Sequence, residues 1–104
     1  MKAIEAIELK EYSLPRLLTQ VAAWRLKGKT IAFTNGCFDI LHEGHIASLS
    51  AAAKEADYLI VGLNSDASVK QLKGDSRPIN NEQSRAILLR NLAVVDAVVV
   101  FNEQ

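Results

Sequence analysis

The chain reads as an α/β protein built on a parallel, doubly wound sheet of the Rossmann-like kind, and three observations predict it. Thr30-Ile31-Ala32-Phe33 is short, apolar and β-branched, which reads as a buried strand. Ile46 to Ala56 follows a glycine-bearing loop, is rich in alanine and leucine, and reads as a helix. Tyr58-Leu59-Ile60-Val61-Gly62-Leu63 is nearly continuous in apolar residues, the mark of a parallel strand covered on both faces. Strand, helix, strand makes a βαβ unit, right-handed by the general rule, and opens a doubly wound sheet.

Composition bounds the rest. The 104 residues make one small domain or part of one, and 49% hydrophobic residues are enough for a core. Twelve basic and twelve acidic residues cancel, so the basic excess of a nucleic-acid binder is missing and no nucleic-acid partner is expected. No apolar run approaches the ~20 residues of a membrane span. Glu5, Glu8 and Glu11 interrupt any apolar core of a signal peptide. The single cysteine, Cys37, excludes an internal disulfide and fits a reducing cytoplasm.

Residues 1–12 are weakly patterned and read as a lead-in. Residues 13–27 form the N-terminal helical segment. Ser13 is suited to cap it, with Pro15 tolerated in the first turn. Leu14, Leu17, Leu18, Val21, Ala22 and Leu26 recur at helical spacing, Trp24 sits at the edge, and Gly28 suits a left-handed cap. Packing against the sheet is the favoured role of this helix, over a gate or a dimer surface. The core runs over 30–101. Its helix from Gly44 to about Ala56 turns Ile46, Leu49, Ala53 and Ala56 inward. Ala67 to Asn80 reads as a long polar connection carrying Lys70, Lys73 and Arg77. A helix over Asn81 to Leu92 follows, with Ile87, Leu88 and Leu89 apolar, and Val94 to Phe101 is the third strand.

The stretch Phe33 to His45 joins the first strand to the helix that follows. A strand, a glycine-bearing loop and a helix start make a phosphate-binding site, because the first backbone N–H groups of a helix and its dipole favour an anion. Gly36 and Gly44 let a ligand approach the main chain. His42 and His45, three apart, fall on one side of a near-helical turn, where two imidazoles can stabilise charge on a polyphosphate. The competing reading makes Gly44 an ordinary helix-start residue and the histidines surface polar groups. Cys37 reads as a small buried hydrophobe rather than a nucleophile. Phe38 reads as the anchor of the loop. Asp39 either braces the loop or faces a metal or acceptor. Asn64-Ser65-Asp66 lies past the carboxyl end of a strand, where open α/β sheets bind ligands, and Ser65 or Asp66 also suits a helix cap. Lys70, Lys73 and Arg77 suggest a phosphate clamp, with a solvated surface as the alternative. Arg85 is a phosphate ligand or, preferred, a structural partner of Asp96 or an interface acid.

Asn35-Gly36-Cys37-Phe38-Asp39-Ile40-Leu41-His42-Glu43-Gly44-His45 resembles the signature of the cytidylyltransferase-like nucleotidyltransferases, a G-x-F-D segment followed by H-x-G-H. Within that superfamily Phe33 to Asp39, Asn64 to Asp66, and Leu72 to Pro78 are similar to the heptose 1-phosphate adenylyltransferases. The likeness runs from about Leu14 to the last residue. It implies the HxGH nucleotidyltransferase fold and transfer of AMP from ATP to a sugar 1-phosphate, giving ADP-heptose for lipopolysaccharide and releasing pyrophosphate. It implies Mg²⁺ as cofactor, and His42, His45 and Lys73 as catalytic residues. It implies nucleotide or phosphate contacts at Thr34, Asn35, Gly36, Cys37, Phe38, Gly44 and Arg77, with Asp39, Asn64 and Asp66 near the acceptor or metal. Lys70 and Arg85 are further candidates. A homo-oligomer, a dimer above all, in the cytoplasm is expected. The alternatives are a glycerol-phosphate-type cytidylyltransferase and a nucleotide-binding module without turnover. A metal hydrolase using His42 and His45 lacks a third ligand of clear spacing. The resembled family continues for several more elements, among them a Lys-Gly-Gly-Asp-like strand end and a Ser-Thr-rich helix start. The chain is therefore expected to be truncated at its C-terminus, with the outer side of the strand Val94 to Phe101 uncovered.

Overall fold

The computed structural model describes residues 2–102. In chain order it contains α1 (Ala3–Glu8), β1 (Glu11–Tyr12), α2 (Leu14–Leu26), β2 (Ile31–Gly36), α3 (Glu43–Lys54), β3 (Tyr58–Asn64), α4 (Asp66–Lys73), α5 (Glu82–Arg90) and β4 (Ala97–Phe101). The strands form one parallel sheet in the order β1-β4-β3-β2. Leu59, Val61 and Leu63 of β3 face the side carrying Leu49 of α3 and Ala86 and Leu89 of α5. Ile60 faces the other side, with Ala97 and Val99, against Leu17 and Trp24 of α2. Helices therefore cover both faces, and the sheet is doubly wound as the apolar run of β3 predicts. No helix among the described residues is long and apolar enough to cross a membrane.

The N-terminal helix forms over the predicted residues. The Ser13 hydroxyl accepts the Arg16 N–H at 3.4 Å, Pro15 lies in the first turn, and Gly28 follows the helix at φ +76°. Its buried side is narrower than the periodicity suggests. Leu17 and Trp24 are buried, while Leu14, Leu18 and Leu26 are exposed. Trp24 is a core residue rather than an edge residue, stacked on Tyr58 with ring centroids 4.1 Å apart.

Four expectations are corrected. Residues 1–12 are more than a lead-in, since they carry α1 and β1. A two-residue strand is too short to show periodicity, and its position is set by β4, with Glu11 opposite Val98 and Tyr12 opposite Val99. The Val98 N–H also donates to the Lys10 carbonyl at 2.7 Å. The outer side of β4 is thus paired at its centre, and among the described residues the long open edge of the sheet is β2. Second, β4 starts at Ala97, because Val94 and Val95 belong to the turn that packs under the sheet and Asp96 accepts the Leu59 N–H at 2.8 Å. Third, Ala67 to Asn80 is not one connection. The Ser65 hydroxyl accepts the Ser68 N–H at 3.1 Å and starts α4, which needs only Ser68 and Val69 inside and so reads as polar. Fourth, α5 spans Glu82–Arg90 rather than Asn81 to Leu92, and it buries Arg85, Ala86 and Leu89. The Asn81 side chain caps it, accepting the Ser84 N–H at 2.8 Å.

Candidate phosphate-binding site

The loop after β2, the start of α3, the end of α4 and the segment that follows it come together. They enclose a cavity of about 510 Å³. Cys37, Phe38, Asp39, Ile40, His42 and His45 line it together with Lys73 and Arg77. Sequence reasoning singled out all of these except Ile40, an exposed apolar residue that no motif chemistry marks.

His42 is the N-cap of α3. Its Nδ1 accepts the Gly44 N–H at 3.0 Å, and the Nδ1 of His45 accepts the His42 N–H at 3.2 Å. The two rings lie 4.1 Å apart between centroids. A neutral imidazole that accepts at Nδ1 carries its proton on Nε2. Both histidines are thereby fixed as Nε2–H donors on one side of the helix start. Burial, and then the neighbouring His42, hold the pKa of His45 below the usual histidine value, which keeps it neutral. Gly44 is required by this arrangement. A Cβ there would lie 2.7 Å from Cε1 of His42, so any side chain would push the capping ring away.

The loop between β2 and α3 is held from below. Phe38 takes φ +48°, an uncommon conformation for an aromatic residue, with its ring against the core and its centroid 5.6 Å from His45. Gly36 ends β2 beneath that ring. The side chain of Asp39 is fully engaged. It accepts Arg77 Nε at 2.7 Å, the Ile79 N–H at 2.9 Å and the Asn80 N–H at 2.9 Å. Burial alone would raise its pKa; the two backbone N–H groups and the Arg77 guanidinium outweigh it and hold the carboxyl below its ordinary value. Of the two roles expected for Asp39, the geometry gives it the brace. The side chain of Asn80, absent from the sequence reading of the site, closes the same staple by donating to the Asp39 carbonyl at 2.7 Å.

Arg85 is fully buried. It donates to the carbonyls of Asn80 at 2.9 Å, Cys37 at 2.7 Å and Asn64 at 2.8 Å, and to Asp66 Oδ1 at 2.8 Å. Its partner is Asp66, and Asp96 is engaged elsewhere, with the Leu59 N–H. Asn64 and Asp66 are accordingly tied behind the loop, with the Asn64 amide donating to Ser68 at 2.9 Å. Thr34 and Asn35 lie on β2, opposite Val61 and Gly62, and do not line the cavity. Lys70 sits in the last turn of α4, likewise outside the lining. Among the described residues no group of three or more histidine, cysteine or carboxylate side chains is placed to hold a metal ion. The one carboxylate lining the cavity, Asp39, is spent on the brace, so these residues do not fit a metal held by the protein itself.

A doubly wound parallel sheet with a cavity at a strand-to-helix turn defines a Rossmann-like α/β domain. The chain belongs to the cytidylyltransferase-like family, which matches residues 33–104. Among its relatives are the bifunctional protein HldE of Mesorhizobium japonicum, 59% identical over 80% of this chain, and that of Bradyrhizobium sp., 56% identical over 85%. The chain spans 17% and 18% of the length of these two proteins. A lipopolysaccharide core biosynthesis protein from Thermoplasma volcanium has a similar structure, with a TM-score of 0.65 and 34% identity. The match covers 70% of this chain and 58% of that one.

Proposed function

We propose that this domain transfers a nucleotidyl group, AMP from ATP, onto a sugar 1-phosphate, with heptose 1-phosphate as acceptor. A phosphate oxygen of the acceptor attacks the α-phosphorus of ATP. A new P–O bond forms, the bond to the β-phosphate oxygen breaks, and its electron pair leaves with pyrophosphate. No covalent enzyme intermediate is needed, so the protein contributes positioning and charge stabilisation. The observation that carries this reading is the pair of histidines whose Nδ1 atoms are both occupied by backbone N–H groups. That leaves two Nε2–H donors for phosphate oxygens, beside the N-terminus of α3. Lys73, in the same lining, supplies positive charge, as does the part of the Arg77 guanidinium not engaged by Asp39. Mg²⁺ would belong to the triphosphate substrate and would supply charge neutralisation there, since Asp39, the carboxylate in the lining, is engaged by Arg77, Ile79 and Asn80.

The acceptor class is supported by the relatives. Three segments resemble heptose 1-phosphate adenylyltransferases, and the structural relative is described as a lipopolysaccharide core biosynthesis protein. The reading places the protein in the cytoplasm, with ATP and a sugar phosphate as its small-molecule partners. The test is pyrophosphate release, screened over a matrix of ATP and CTP against heptose 1-phosphate, other sugar 1-phosphates and glycerol 3-phosphate. ATP with heptose 1-phosphate is the expected active pair. Activity only with CTP and glycerol 3-phosphate would establish the cytidylyltransferase instead, and nucleotide binding without pyrophosphate release would establish a binding module.

A further inference from the structure

We propose that Arg85 is a positioning residue, one that sets the peptide between Cys37 and Phe38 so that the Phe38 N–H serves as an anion donor in the cavity. This rests on the phosphate-site reading above. Nη1 of Arg85 is shared by the Cys37 carbonyl at 2.7 Å and the Asn64 carbonyl at 2.8 Å. Nε holds the Asn80 carbonyl and Nη2 holds Asp66. One fully buried guanidinium therefore ties together the signature loop, the end of β3, the start of α4 and the turn before α5. A planar group with its donors in a fixed fork can do this, whereas an ammonium cannot reach all four acceptors in their separate directions.

The consequence for the site follows from peptide geometry. In a trans peptide the carbonyl oxygen and the next N–H point to opposite sides. With the Cys37 oxygen drawn down onto the buried guanidinium, the Phe38 N–H is turned away from it. Cys37 and Phe38 both line the cavity, and the Phe38 N–H has no hydrogen-bond partner among the described residues. Phe38 also sits at φ +48°, a conformation that costs free energy and persists only where the surroundings impose it. Arg85 below and the Phe38 ring in the core supply that constraint. The donor is thus rigid and unpaired before any ligand arrives, as preorganised stabilisation of phosphate charge requires.

The test uses the ¹⁵N-labelled 104-residue chain and inorganic tripolyphosphate. In the parent, the Phe38 amide is expected to be rigid, with an order parameter of about 0.85, to exchange quickly with solvent, and to shift on titration. Arg85→Lys should lower the order parameter below roughly 0.6 and abolish most of the Phe38 shift, while the His42 and His45 imidazole signals still respond. A folded Arg85→Lys variant whose Phe38 amide responds as the parent's does would overturn the proposal. Should that variant not fold, the parent decides: a Phe38 amide that is mobile, or protected from exchange by an internal bond, overturns it, and one that is rigid, unprotected and responsive supports it. Response at the histidines without response at Phe38 defeats this proposal alone. Response at none of the three defeats the phosphate-site reading with it.

Discussion

His42 and His45 each do two things with one ring. Nδ1 caps the helix and Nε2–H is left for a ligand. Replacing His42 by alanine should therefore lower turnover about 10²-fold, the usual scale for one preorganised donor, and lower stability by only about 1 kcal/mol, the scale of a lost cap. Turnover and thermal melting on one sample separate the two. His45 adds a pH dependence. The unfolded chain takes up its proton near 6.5, and the folded chain resists it, so the unfolded state binds more protons as pH falls. Stability should drop as pH falls below about 6.5. His45→Asn, which keeps an acceptor near the His42 N–H and does not titrate, should show a shallower drop between pH 7 and 5.5 in melting temperature. Asp39 works in another window, being stabilising above the ordinary carboxylate pKa and losing that contribution as pH falls through its lowered value. Asp39→Asn should cost roughly 2–3 kcal/mol, since it removes the charge and replaces the oxygen that accepts Arg77 Nε by a donor, leaving one oxygen for the Ile79 and Asn80 N–H groups; urea unfolding reads it directly. At this scale the sequence was informative where partners are close in the chain. Three residues separate the histidines, and their shared side was legible. The partners of Asp39 lie about 40 residues away, and those of Arg85, Asn80 apart, about 20 to 50, so residue type alone left both roles open.

The helix start of α3 is the element on which the site depends, and Gly44 shows how tightly. Alanine in place of a helical glycine ordinarily gains up to about 1 kcal/mol. Here a Cβ would meet the His42 ring at 2.7 Å. Gly44→Ala is expected to gain no melting temperature and to lose turnover more than tenfold. A more stable and fully active variant would show that the His42 ring can move aside without cost. The N-terminal elements invite a second comparison. No residue of α1 is buried, whereas β1 pairs with β4. Removing residues 2–8 should leave melting within about 2 °C, well under the 4–8 °C that 1 kcal/mol is worth in a domain of this size. Removing residues 2–12 should lower it clearly, because the ladder to Val98 and Val99 goes with Glu11 and Tyr12. These are also the elements that periodicity missed. α4 buries only Ser68 and Val69, and β1 has two residues, so neither carries a pattern long enough to read. The longer elements were legible: α2 over Leu14–Leu26, and β3 from Tyr58 to within one residue of its end at Asn64.

Across the whole molecule the sheet is asymmetric. One side of the ladder ends on the short β1, and the other on β2, six residues long and paired only with β3 among the described residues. The fold class was readable because a central strand buried on both faces announces itself. Which edge would be open was not, since strand order is decided by the crossover of α2 from β1 to β2, and no local pattern records it. The open edge carries a large apolar group. Phe33 of β2 is 60% exposed, and its ring lies over Gly62, where a Cβ would sit 2.9 Å from Cζ. Unpaired N–H and C=O groups beside an exposed aromatic ring are a template for pairing with another chain. The expected outcome is concentration-dependent self-association of the 104-residue chain, in which β2 edges meet about a two-fold axis. Sedimentation velocity over a hundredfold concentration range would detect it. Phe33→Lys places a charge on that edge and should shift the chain toward monomer with little loss of melting temperature, because the side chain it replaces is mostly outside the core. A parent that stays monomeric throughout the range would show that the β2 edge is guarded in solution. Association that persists unchanged in Phe33→Lys would place the contact elsewhere, and the exposed leucines Leu14, Leu18 and Leu26 of α2 are then the surface to change next.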